Sequence, residues 1–105
     1  MQENLQVQMD KLDRICSLIE NEEEYASVLS GYLTELNRTV NYLLLCSQDE
    51  TNPFTINEQF VVQVLEDILY GMEYQDSVIL LDAIRYGLME IYRYGKDELQ
   101  SEEVE

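Results

Sequence analysis

The stretch YQDSVILLDAIRYGLMEIYRYG, residues 74–95, decides the fold, because its apolar residues recur at the helical interval on two faces instead of one. Set out at ~100° per residue, Ser77, Leu80, Leu81, Ile84, Leu88, Ile91 and Tyr92 form one stripe. Val78, Ile79, Asp82, Arg85, Tyr86, Met89 and Arg93 gather on the opposite side. An ordinary surface helix buries one stripe and wets the other. A helix that places Tyr, Met and Arg beside Val and Ile on its second face is either central in its bundle or holds a partner.

Working outward, Gly71 and the polar run Tyr74 to Ser77 predict a break before this helix, with Asp76 or Ser77 as its cap. Upstream, Thr55-Ile56-Asn57-Glu58 reads as a capping box, Thr55 at the N-cap and Glu58 reaching back to it. The third helix that follows turns Phe60, Val61, Val64, Leu65, Ile68 and Met72 inward, with Glu66, Asp67, Tyr70 and Glu73 on or near its outer side. Residues 47–53, SQDETNP, are the one clear loop, rich in turn formers and closed by the only proline. The second helix runs from about Glu22 to Cys46 on a broad stripe that includes Tyr25, Leu29, Tyr32, Leu36, Val40 and Leu43. The first carries a narrow seam of Leu5, Met9, Leu12, Cys16 and Ile19, with Ile15 alongside. It ends near Asn21, which also reads as the N-cap of the next helix, with Glu22, Glu23 and Glu24 at the positive end of its dipole. Past Arg93 and Lys96, cations suited to a helix C-terminus, the chain turns acidic and polar. The expectation is an all-α fold, a compact bundle of four helices, or three if one junction is continuous. It forms a single domain over residues 1–96, with an acidic, disordered tail over 97–105.

Composition narrows the function. At 105 residues the chain supports one small core, so self-association or a partner would add stability. Twenty-two acidic residues against six basic ones leave a net charge of −16, which repels phosphate backbones and anionic lipid. Direct nucleic-acid binding is therefore not expected. Solubility, a basic protein partner and mimicry of a nucleic acid remain as roles for the charge. The opening Met-Gln-Glu-Asn has no basic region or apolar run, so no secretory signal is expected. No segment reaches the ~20 apolar residues of a membrane span. The two cysteines are then expected to be free thiols in a reducing cytosol, with Cys16 acting as a small hydrophobe on its stripe. The triplet Asn37-Arg38-Thr39 falls mid-helix and is read as chance.

The chemistry is mostly negative. With no histidine, the chain lacks the commonest general base and transition-metal ligand. Two cysteines are too few for an ordinary zinc site, and the loop from Ser47 lacks the alternating oxygens and central Gly of a calcium loop. Gly31, Gly71, Gly87 and Gly95 are isolated, so no phosphate cradle exists. Glu73, Asp76 and Asp82 flank the last break and could do acid–base work, but capping and solvation explain them more simply. No catalytic residue, cofactor or metal is expected.

The run from Glu66 to Gly87, EDILYGMEYQDSVILLDAIRYG, resembles a group of small, acidic, helical bacterial proteins of unknown function, some found beside motility and surface-glycan genes. Their pattern is an Asp, a short apolar run, a second Asp, then an apolar residue two before a Tyr. Asp76, Val78 to Leu81, Asp82, Ile84 and Tyr86 match it, and Gly87 stands where the pattern has Glu. The resemblance implies no catalytic residue. It implies a bacterial cytoplasmic adaptor or export-chaperone-like role.

The functional expectation is a non-enzymatic, cytoplasmic helical interaction protein that docks a basic or helical protein partner on its last helix. Asp82, Arg85, Tyr86, Met89 and Arg93 are the candidate partner-binding residues, since Tyr and Arg are enriched in hot spots and Met adapts to varied partners. A homodimer through the same face is a further reading. The alternative function is an acidic nucleic-acid mimic that inhibits a basic DNA- or RNA-binding protein.

Overall fold

In the computed structural model, which describes residues 4–51 and 54–100, every regular element is a helix. The four helices are α1 (Leu5–Glu20), α2 (Ala26–Gln48), α3 (Glu58–Tyr74) and α4, which spans residues 77–100 in joined pieces. Their Cα atoms have a radius of gyration of 13.9 Å, close to the ~13 Å of a compact chain this long. The expected all-α bundle of four helices is the fold found.

Each helix begins and ends for a local reason. Asn4 caps α1, its side chain accepting from the Val7 N–H at 3.2 Å. At the other end Glu22 takes a left-handed φ of 58°, and the Glu22 and Glu23 N–H groups return to the Ile19 and Leu18 carbonyls. That is a Schellman closure, and it corrects two expectations. Asn21 finishes α1 instead of starting α2, and Glu22 to Glu24 form the link between them. Of the three acids, Glu24 still works at a helix start, accepting from the Ser27 N–H at 2.9 Å.

The cap of α3 is also displaced. Asn57, not Thr55, accepts from the Gln59 and Phe60 N–H groups. Phe54 is fully buried, and the Ile56 N–H donates to Ser47 Oγ at 2.9 Å, which holds the chain extended until Asn57. Asn52 and Pro53, at the end of the expected loop, lie outside the described residues. The buried stripe of α3 is Val61, Val64, Ile68 and Gly71. Phe60, expected inward, falls at its margin and is 46% exposed. The predicted break is present: Gln75 turns left-handed at φ 53°, and Asp76 caps α4 by accepting from Val78 and Ile79.

α4 is the bundle's axis. It packs along α3 and α1, and its far half meets α2 where Tyr92 Oη lies 3.1 Å from Tyr32 Oη. Glycines set its approach to its neighbours. A Cβ built on Gly87 would stand 2.7 Å from Val64 Cγ2, and one on Gly95 would stand 2.8 Å from Leu43 Cδ2. Through Ala83–Leu88 the helix widens to a π turn, the Met89 N–H reaching back five residues to the Ile84 carbonyl. The chain continues helical through Lys96–Gln100, with Leu99 packed against the core, where the sequence placed the start of the tail. Residues 101–105 of that tail lie outside the described residues.

Candidate functional site

The π turn redistributes the second face of α4. In a turn closed five residues back, each residue advances less than ~100° around the axis, so everything after Leu88 lags the ideal wheel. Met89 rotates into the core, and Glu90 and Tyr94 rotate out. Met89 therefore leaves the expected docking face. This is a correction with a geometric cause.

The remaining candidates separate by partner. Arg85 is half-buried and pairs with Glu20 at the end of α1, so it ties two helices together. That pairing keeps the Glu20 carboxyl below its ordinary range through the hydrogen bond from Arg85. Arg93 is exposed and pairs with Glu90 one turn back on its own helix. Asp82 is exposed, and Tyr86 is 70% exposed although its helix runs through the centre of the bundle. The structure thus brings Asp82, Tyr86, Glu90 and Arg93 onto one outer strip of α4. Val78, 72% exposed, begins the same strip.

Near the start of that strip the end of α3 presents Tyr70 and Tyr74, both exposed, their ring centroids 4.6 Å apart and tilted by 44°. The sequence reading set Tyr70 on the outer side of α3 but did not pair it with Tyr74. The signal was available, since aromatic residues four apart on a helix meet.

Asp76 is occupied as a cap, and Glu73 and Asp82 are exposed. Among the described residues no group of three or more cysteines and acids is placed to hold a metal ion. Cys16 and Cys46 are not joined in a disulfide. Burial pushes the Cys16 thiol up to about 11, against the pull of Arg85, so it stays protonated and sealed from solvent at neutral pH. A polar cluster that the sequence did not disclose lies where α1, α2 and α4 meet. There Tyr32 donates to Gln8 Oε1 at 2.7 Å, and Gln8 Nε2 donates to Glu35 at 3.4 Å. Lys11 holds the Glu35 carboxyl below its usual range through a 2.5 Å hydrogen bond. Buried hydroxyls and amides that satisfy one another in this way fix helix register.

No family model matches the chain, and no curated protein or solved structure matches it either. Among the described residues no helix is long and apolar enough to cross a membrane.

Proposed function

We propose that this chain is a non-enzymatic interaction protein of the adaptor or export-chaperone kind, and that it docks a basic or helical partner on the outer strip of α4. One observation carries the reading: Tyr86 stands 70% exposed on a helix whose other faces supply the core. A tyrosine held out on a rigid, central helix contributes large contact area at little entropic cost. Asp82 precedes it by one turn, and Val78 opens the strip beyond. The net charge of −16 steers a cationic partner toward the surface and disfavours an anionic one.

The experiment is affinity capture followed by direct titration of the captured protein, with wild type beside Tyr86→Ala. The exposed position predicts a stability change within ~0.5 kcal/mol and a weakening of the complex by about tenfold or more, typical of a lost aromatic anchor. A Tyr86→Ala variant that unfolds, or that binds the partner as wild type does, removes the strip from consideration. Capture confined to nucleic-acid-binding proteins, released by salt and indifferent to the variant, would favour the nucleic-acid mimic instead.

A further inference from the structure

α3 carries two apolar stripes. Val61, Val64, Ile68 and Gly71, spaced by three, four and three, are buried, and of these Val64 and Gly71 touch α4. One residue further along, Val62, Leu65, Leu69 and Met72 repeat the same spacing. From Leu65 onward this second stripe turns away from α4 toward the seam with α2. Leu65 and Leu69 line a cleft of about 170 Å³ with Leu33 and Leu36. Met72 lines another of about 240 Å³ with Tyr25 and Ala26. Leu69 is 57% exposed, so the stripe is only partly covered by the fold.

Each cleft is smaller than the ~300 Å³ at which small-molecule sites begin. An apolar cleft followed by one with an acidic edge, in a row between two antiparallel helices, suits the side chains of a third helix laid along them. Charge identifies which helix. No lysine or arginine lines either cleft. α3 has Glu58, Glu66, Asp67 and Glu73 and no basic residue. Glu66 and Glu73 directly follow Leu65 and Met72, the positions beside a heptad seam whose charge selects the partner. Glu23 and Glu24 edge the far cleft. A second copy of this face would set carboxylate against carboxylate.

We propose that the α2–α3 seam is a docking groove for a basic amphipathic helix. The partner's apolar stripe rests on Leu33, Leu65, Leu69 and Met72, and its Lys or Arg flanks meet Glu66 and Glu73. The groove lies on the flank of α3 turned away from α4, so it is a surface separate from the strip around Tyr86.

The test titrates the full chain by calorimetry, in about 0.15 M salt, with a synthetic peptide of about three heptads. The peptide has leucine at a and d and lysine at e and g, and a scrambled peptide of identical composition serves as control. Wild type is expected to bind the patterned peptide at least tenfold more tightly than the scrambled one. Leu69→Asn, at an exposed position, should weaken binding about tenfold with an unchanged circular dichroism spectrum. Glu66→Gln combined with Glu73→Gln should weaken it and flatten its salt dependence. Tyr86→Ala should leave it unchanged, so that failure of this groove and failure of the α4 strip are told apart. Equal binding of the scrambled peptide would reduce the effect to general charge attraction and overturn the proposal. So would an unchanged affinity for Leu69→Asn, an absence of binding, or a wild-type dimer that Leu69→Asn dissociates.

Discussion

Thr39 is fully buried on the inner face of α2, and its Oγ1 has no hydrogen-bond partner among the described residues. Leaving a buried hydroxyl unpaired costs about 1–3 kcal/mol. Thr39→Val keeps the branched shape and removes the polar atom, so stability should rise by about 1 kcal/mol. Urea unfolding checks it: the midpoint moves up while the slope stays constant. A lower midpoint would mean that the hydroxyl bonds a backbone carbonyl in solution. The contrast with Tyr32 is instructive, because Tyr32 donates a hydrogen bond to Gln8 in an equally enclosed place. Tyr32 was legible as a core position from its spacing. Its partner Gln8 was not, since a glutamine on a seam of Leu and Met reads as surface until a hydroxyl is found opposite it.

At the scale of elements, regular periodicity was legible and departures from it were not. The stripes of α1 and α2 came through because sixteen and twenty-three residues of unbroken α-helix give many chances for the pattern to repeat. The break at Gln75–Asp76 came through because an Asp followed by an apolar run has few other uses. Thr55 and Asn57 are both good caps, and the choice depends on Phe54 being buried, a tertiary fact outside the local window. The π turn shifted α4 against the ideal wheel after Leu88 and so misplaced Met89, although Ile91 and Tyr92 still reach the core. Gly87 lies in that π turn, and it is where α4 presses on α3. Replacing a mid-helix glycine by alanine ordinarily gains up to ~1 kcal/mol, whereas overpacking a core contact costs about 1–3 kcal/mol. Gly87→Ala should therefore lower the melting temperature, since its new methyl would meet the stiff Val64 side chain at 2.7 Å. Gly31→Ala, with nothing within 4 Å of the new methyl, should raise it. Opposite signs for the same substitution in two helices would confirm the close approach, and equal gains would show that α3 and α4 can part without cost.

For the whole molecule, the balance between ion pairs and net charge decides how it responds to its medium. The bundle holds a few ion pairs, of which Glu20–Arg85 and Lys11–Glu35 join different helices. Against them stands a net charge of −16 on 105 residues. Exposed pairs contribute little and are screened by salt, whereas the repulsion sums over the whole surface. Added salt at pH 7 should therefore raise the melting temperature, and a fall would show that the pairs outweigh the repulsion. Acid acts on the ion pairs as well as on the net charge. Glu20 and Glu35 titrate below their ordinary value of 4.5 in the folded chain. Each therefore contributes stability that is present above that value and lost as pH falls through the lower, folded one. Thermal melts from pH 6 down to about pH 3 should show this loss set in around 4.5, where the unfolded carboxyls are half protonated, superimposed on the relief of repulsion. Glu20→Gln removes one of the two groups, so its acid limb should be shallower than that of the wild type while its response to salt at pH 7 keeps the same sign. An unaltered acid limb would mean that Arg85 holds α1 against α4 by packing alone.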